Sequence, residues 1–191
     1  MTLRLMTPRL MSPRLMNPRL SALFVALALL AGCHEEPQTA VPPPREIGDA
    51  AGHFCGMPLA EHPGPKGQVF LRGDPAHPVW FTSARDAVAF TLLPEEPKDI
   101  VVLYVTDMGK TADWNHPEAG AWVDARQAWF VIGSRRAGGM GAAEAVPFSS
   151  PEAARAFVAA NGGQSVRLAE IPPDYVLGGE PGSRSAGGFM P

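Results

Sequence analysis

Two stretches of the chain repeat each other and constrain the fold more than anything else in it. Residues 79–90 read VWFTSARDAVAF and residues 146–157 read VPFSSPEAARAF; they agree at six of twelve positions: Val79/Val146, Phe81/Phe148, Ser83/Ser150, Ala87/Ala154, Ala89/Ala156 and Phe90/Phe157. Each begins as a short β-like run and reaches a serine that can cap a helix. Ala and Phe then recur on a helical face. Pro151 in the second copy falls at the first helical position, where its missing N–H costs nothing. The flanks follow the same plan. GQVFLRG (67–73) precedes the first copy and DIVVLYVTDM (99–108) follows it; AWVDARQAWFVIGS (121–134) precedes the second and QSVRLAEI (164–171) follows it. Both faces of the run Val101–Val105 are apolar, so that strand is expected to be covered on both sides. The pattern predicts an α+β fold of two similar ββαβ halves, 51–110 and 111–177.

Outside the halves the composition changes. Residues 1–20 carry Arg4, Arg9, Arg14 and Arg19 and three copies of Met-(Thr/Ser/Asn)-Pro-Arg-Leu, whose prolines rule out a regular helix. The apolar run LSALFVALALLAG follows, short for a permanent membrane span. Positive leader and apolar core predict a secretory signal over 1–32. Its end, Leu30-Ala31-Gly32-Cys33, resembles the lipobox of bacterial lipoproteins, which implies cleavage before Cys33 and acylation of it. Such a protein is anchored to a membrane rather than spanning it. The expected location is a periplasm-facing membrane, the outer one ahead of the inner. Residues 33–50, rich in proline and charge, read as a tether, and 178–191, with Met190, as a loose tail.

Loss of the leader removes four of the 16 basic residues and none of the 19 acids, leaving 12 against 19 and a formal charge of −7. That disfavours nucleic acid as a partner. It also leaves Cys55 without a partner in an oxidising compartment, where an unpaired thiol is a liability. The stretch HFCGMPL places Met57 two residues after it. In an extended segment, positions i and i+2 face the same way, so thiolate and thioether converge. Soft ligands of this kind select Cu(I). Zinc is disfavoured, because no second cysteine is free and no histidine pair has the usual spacing. Met108, after a strand in YVTDMGK, and Met140, among glycines in RRAGGMGAAE, are candidate third ligands, with His53 behind them. Met108 is expected to be a fixed ligand at the seam between halves and Met140 a closing one. His62, His77 and His116, each before a proline, read as solvated turn residues. There is no Cys-x-x-Cys for disulfide exchange, and no phosphate loop at 138–141. No catalytic residue is identified. Two alternatives stand beside the copper reading: a thiol-redox lipoprotein acting through Cys55, and an inert lipoprotein with Cys55 buried.

With FCGM, YVTDMGK, AWVDARQAWFVIGS, GGMGA and VPFSSPEAARAFVAANGG in one lipobox protein, the chain over roughly residues 50–172 resembles the nitrous oxide reductase accessory lipoprotein family, NosL. The resemblance implies a non-enzymatic Cu(I) carrier that delivers copper to apo nitrous oxide reductase and its assembly machinery. It also implies a fold like that of organomercurial lyase.

Overall fold

The computed structural model describes residues 40–178. The expected signal, Cys33, the tail beyond Gly178 and Met190 lie outside the described residues. The fold is α+β with two antiparallel sheets. The first is ordered β2-β1-β3-β4, from β1 (Gly67–Leu71), β2 (Asp74–Phe81), β3 (Ile100–Thr106) and β4 (Trp122–Asp124). The second is ordered β6-β5-β7, from β5 (Trp129–Ile132), β6 (Val146–Phe148) and β7 (Gln164–Arg167). Helix α1 (Ala84–Leu92) lies between β2 and β3 in sequence and α2 (Pro151–Asn161) between β6 and β7; a short α3 (Pro173–Val176) follows. In each sheet the first strand of the strand–strand–helix–strand series is central.

Local chemistry sets these elements. Ser83 caps α1 by accepting the Asp86 N–H at 3.1 Å, and Ser150 caps α2 by accepting those of Glu152 and Ala153. Helix α1 stops at Leu93, immediately before Pro94, because a residue preceding proline is pushed out of helical conformation. Pro75, Pro78 and Pro147 sit in β2 and β6, both edge strands, where a missing N–H leaves no gap in the ladder.

The 121–134 segment, read as one strand, is two. Asp124 turns the chain, its carboxylate accepting the Arg126 N–H at 2.9 Å. β4 then pairs with β3 through Tyr104↔Asp124 and Thr106↔Trp122, so residues beyond 110 supply an edge of the first sheet. The Pro-rich segment also departs from its reading as a tether through residue 50. Gln68 is fully buried on the face of β1 away from α1, and its amide needs partners there. The Arg45 backbone supplies both, donating its N–H to Oε1 at 2.8 Å and accepting from Nε2 at 3.1 Å. The Tyr104 hydroxyl donates to Pro42 O at 3.0 Å. Residues 42–45 therefore cover the back of the first sheet, which accounts for the two apolar faces of β3.

Strand β5 alternates between two cores. Phe130 and Ile132 join Val69, Phe81, Leu103, Val105 and the inner face of α1. Val131 joins Met108, Val146, Phe148 and Ala154, with Trp129 and Phe157 of α2 against them. Helix α1 approaches the first sheet most closely at Gly67, where a Cβ would stand 2.3 Å from that of Ala87. Gly67→Ala is expected to cost about 1–3 kcal/mol through overpacking, read as a lowered midpoint in denaturant unfolding; an unchanged midpoint would refute this packing.

Among the buried ionisable side chains are Lys66 and Glu144, each 1% exposed. Burial pushes the Glu144 carboxyl up to about 8, against the smaller opposing pull of the Arg85 and Ala145 N–H groups. Burial lowers Lys66 to about 8, opposed by attraction to Glu144. A carboxyl whose folded value is raised gives up stability as pH climbs from its ordinary 4.5 to about 8, since the unfolded chain sheds that proton first. Lys66 stays charged in both states over most of that window and adds little slope. Stability is expected to fall between pH 5 and pH 8, and Glu144→Gln to flatten the decline in pH-resolved denaturant melts. A slope that the substitution leaves intact would show that Glu144 is not its source.

Candidate metal site

Residues 51–58 close on themselves. The Gly52 N–H donates to Met57 O at 2.9 Å, the Gly56 N–H to Gly52 O at 2.7 Å, and Ala51 bridges Pro58. Gly56 takes φ +67°, a conformation that favours glycine. The extended segment expected around Cys55 and Met57 is thus a turn, and strand alternation is not what relates the two sulfurs. The turn itself holds both, each half-buried. It is pinned to β2 by the His53 N–H, which donates to Trp80 O at 2.7 Å. The thiol folds back over Gly52, where a Cβ would lie 2.8 Å from Sγ, and rests 3.7 Å from the Thr82 hydroxyl.

The other candidates separate. Met140 is 54% exposed, on a loop closed by the Ala137–Ala143 bridge, Gly138 N–H to Ala142 O at 2.8 Å and Gly141 N–H to Gly138 O at 2.9 Å. Gly139 in this loop sits on His62 and Pro63; a Cβ there would be 2.9 Å from the His62 Cβ and the Pro63 carbonyl oxygen. His62 and Pro63 follow the cysteine turn by one 3₁₀ turn, Leu59–Glu61. At the loop's far end, Glu144 accepts the Arg85 N–H in the first turn of α1 at 2.9 Å. The residue before that helix cap is Thr82, the neighbour of Cys55. Both loops therefore meet the N-terminal end of α1.

Met108, expected to be a fixed ligand, lies in the second core rather than at the surface with Cys55. It is 8% exposed, with its side chain packed in the second core against Val131, Val146, Phe148 and Ala154. Apolar packing is the commoner use of a methionine. His53 is also engaged elsewhere: its ring meets Phe81 and Phe90 edge-on, and Nε2 lies 3.1 Å from Glu96 Oε1. His62 is not the solvated turn residue expected. Its ring Nε2 is buried with no hydrogen-bond partner among the described residues, and its carbonyl accepts the buried Lys66 amine at 2.6 Å.

Sequence reading missed Asp107. Fully buried, it accepts the N–H groups of Gly109 and Ser149 at 3.0 Å each and the Ser149 hydroxyl, and so fastens the end of β3 to the start of α2. An aspartate two residues before a glycine at a strand end was the available signal. Among the described residues no three His, Cys, Asp or Glu side chains gather as a metal cluster. Sulfur donors are what the two loops offer.

The NosL family model matches residues 45–176. The chain belongs to the NosL family. It is 50% identical over 153 residues to the copper-binding lipoprotein NosL of Achromobacter cycloclastes, covering 80% of this chain and 79% of that one. With the copper-binding lipoprotein NosL of Stutzerimonas stutzeri it shares 36% identity over 171 residues, 87% and 86% of the two chains. The crystal structure of the copper chaperone NosL from Shewanella denitrificans superposes with a TM-score of 0.63 at 36% identity, covering 68% of this chain and 97% of that one. Among the described residues no helix is long and apolar enough to cross a membrane.

The half-exposed thiol is expected to react with a thiol reagent in native protein lacking residues 1–33. Gly52→Ala, which displaces Sγ, is expected to change that rate with little change in melting temperature. Reaction that begins only on unfolding would mark Cys55 as an inert core residue.

Proposed function

We propose that this protein is a membrane-anchored Cu(I) carrier, not an enzyme, that delivers copper for assembly of the copper centres of nitrous oxide reductase. The observation that carries the reading is a thiol and a thioether held half-buried on one closed turn, beside the Gly-rich loop that presents Met140. Cys55 supplies the charged soft donor, and Met57 and Met140 supply neutral ones. Cu(I) accepts low coordination numbers, so these suffice without a zinc-like set of four. The copper-binding and chaperone names of its relatives support the same cargo.

The chemistry suits transfer. Copper binds the thiolate form, so uptake by a thiol releases a proton. With the donors at the surface, an incoming sulfur or imidazole replaces one ligand at a time. The receiving protein is apo nitrous oxide reductase or its assembly machinery. Acylation at Cys33 holds the carrier on the periplasmic side of a membrane.

Competition titration against a Cu(I) chelator tests the ligands. Cys55→Ser is expected to cost more affinity than the roughly 10–100-fold typical of losing an outer-shell partner. Met57→Ala and Met140→Ala should each cost less, and Met108→Leu nothing beyond its effect on folding. Equal affinity in wild type and Cys55→Ser would end the copper–thiolate reading. Cys33→Ala is expected to release soluble protein with its copper binding intact; loss of binding in that folded variant would make Cys33 a ligand instead.

A further inference from the structure

Glu144 carries a fully buried carboxyl group for which the copper ligands leave no role. Burying such a group is unfavourable unless its oxygens are used. Its Oε1 accepts the N–H groups of Arg85 and Ala145, each at 2.9 Å. Its backbone carbonyl accepts the Tyr175 hydroxyl at 2.9 Å, and that hydroxyl also accepts the Gly133 N–H. The second oxygen, Oε2, has no hydrogen-bond partner among the described residues. It faces the Met140 loop: a Cβ on Gly138 would stand 2.6 Å from it.

The two oxygens thus touch two different pieces of the site. On one side is the first turn of α1, whose cap Ser83 follows Thr82, the residue whose hydroxyl lies 3.7 Å from the Cys55 thiol. On the other is the first residue of the loop that carries Met140. Contact with His62 and Pro63 steadies Gly139, and the Lys66 amine braces that turn through the carbonyls of His62 and Gly64, at 2.6 Å each. The loop is thus met on two sides, and Glu144 is the contact bonded to α1.

We infer that Glu144 is a positioning residue that sets where the Met140 thioether stands relative to the Cys55 thiolate. The inference rests on the reading of Met140 as a copper ligand. Leucine at 144 would fill the space but take up neither the helix N–H nor the contact with Gly138, so the loop would lose its reference to α1. Glutamine keeps both the shape and an acceptor.

The test uses protein lacking residues 1–33 with ¹³C-methyl methionine, followed by NMR with and without Cu(I), beside competition titration. Wild-type Met57 and Met140 methyl signals are both expected to shift on loading. In Glu144→Leu the Met140 signal should stop responding while Met57 still does, with affinity down by roughly 10–100-fold, as for other outer-shell losses. Glu144→Gln should restore both. Gly138→Ala pushes the loop off Oε2 from the other side without altering the core, should reproduce the Leu result, and decides the matter if Glu144→Leu does not fold. A wild-type Met140 methyl that ignores Cu(I) would overturn the ligand reading and this inference with it. A responsive wild-type methyl, with response and affinity unchanged in the folded variants, would overturn the inference alone.

Discussion

Strand β5 is four residues long, and both hydrophobic cores are built on it. The alternation of side chains along a strand sends Phe130 and Ile132 one way and Val131 the other. The first pair meets α1 and the first sheet; Val131 meets α2 and Met108. The second core, with five buried residues, would be small alone, and a small core holds a domain poorly. Sharing one central strand makes them a single cooperative unit. The cysteine turn and the Met140 loop both meet the N-terminal end of α1, whose buried side chains share the first core with Phe130 and Ile132.

What the sequence disclosed follows from which interactions are local. The serine caps at Ser83 and Ser150 are decided within three residues, and the helices stand where those caps and the Ala/Phe spacing put them. Beyond such range the reading weakened. Asp124 turns the chain inside an otherwise strand-like run with no glycine or proline to announce it. The Cys55–Met57 turn has its signals, two glycines and a proline in seven residues, and these outweigh the i, i+2 spacing. Met108 looks the same in sequence whether its neighbour is copper or Val131; only the partner strand decides, and that strand is distant in the chain. Glu144 is further out of reach, since its burial depends on an N–H 59 residues away.

The separation of Met108 from the surface donors has a chemical meaning. A ligand locked in a core resists exchange, because reaching it requires the core to open. Donors on closed turns can be displaced singly while the body stays folded. On the proposed reading, such a division between a rigid frame and displaceable donors suits a carrier, which must hold its metal against stray thiols and still give it up.

Helices α1 and α2 share a sequence pattern but not a setting. Five residues of α1 are buried, Ala84, Ala87, Val88, Ala89 and Phe90, against Ala154 alone in α2. Almost any enlargement on α1 meets packed atoms, and Gly67 leaves no slack beneath it. Five of the eleven residues of α2 are exposed, and at such positions substitutions usually shift stability by within about ±0.5 kcal/mol. Sequence drift should therefore accumulate on the second helix and be held back on the first. The likeness between the two stretches should be lost faster from the second than from the first.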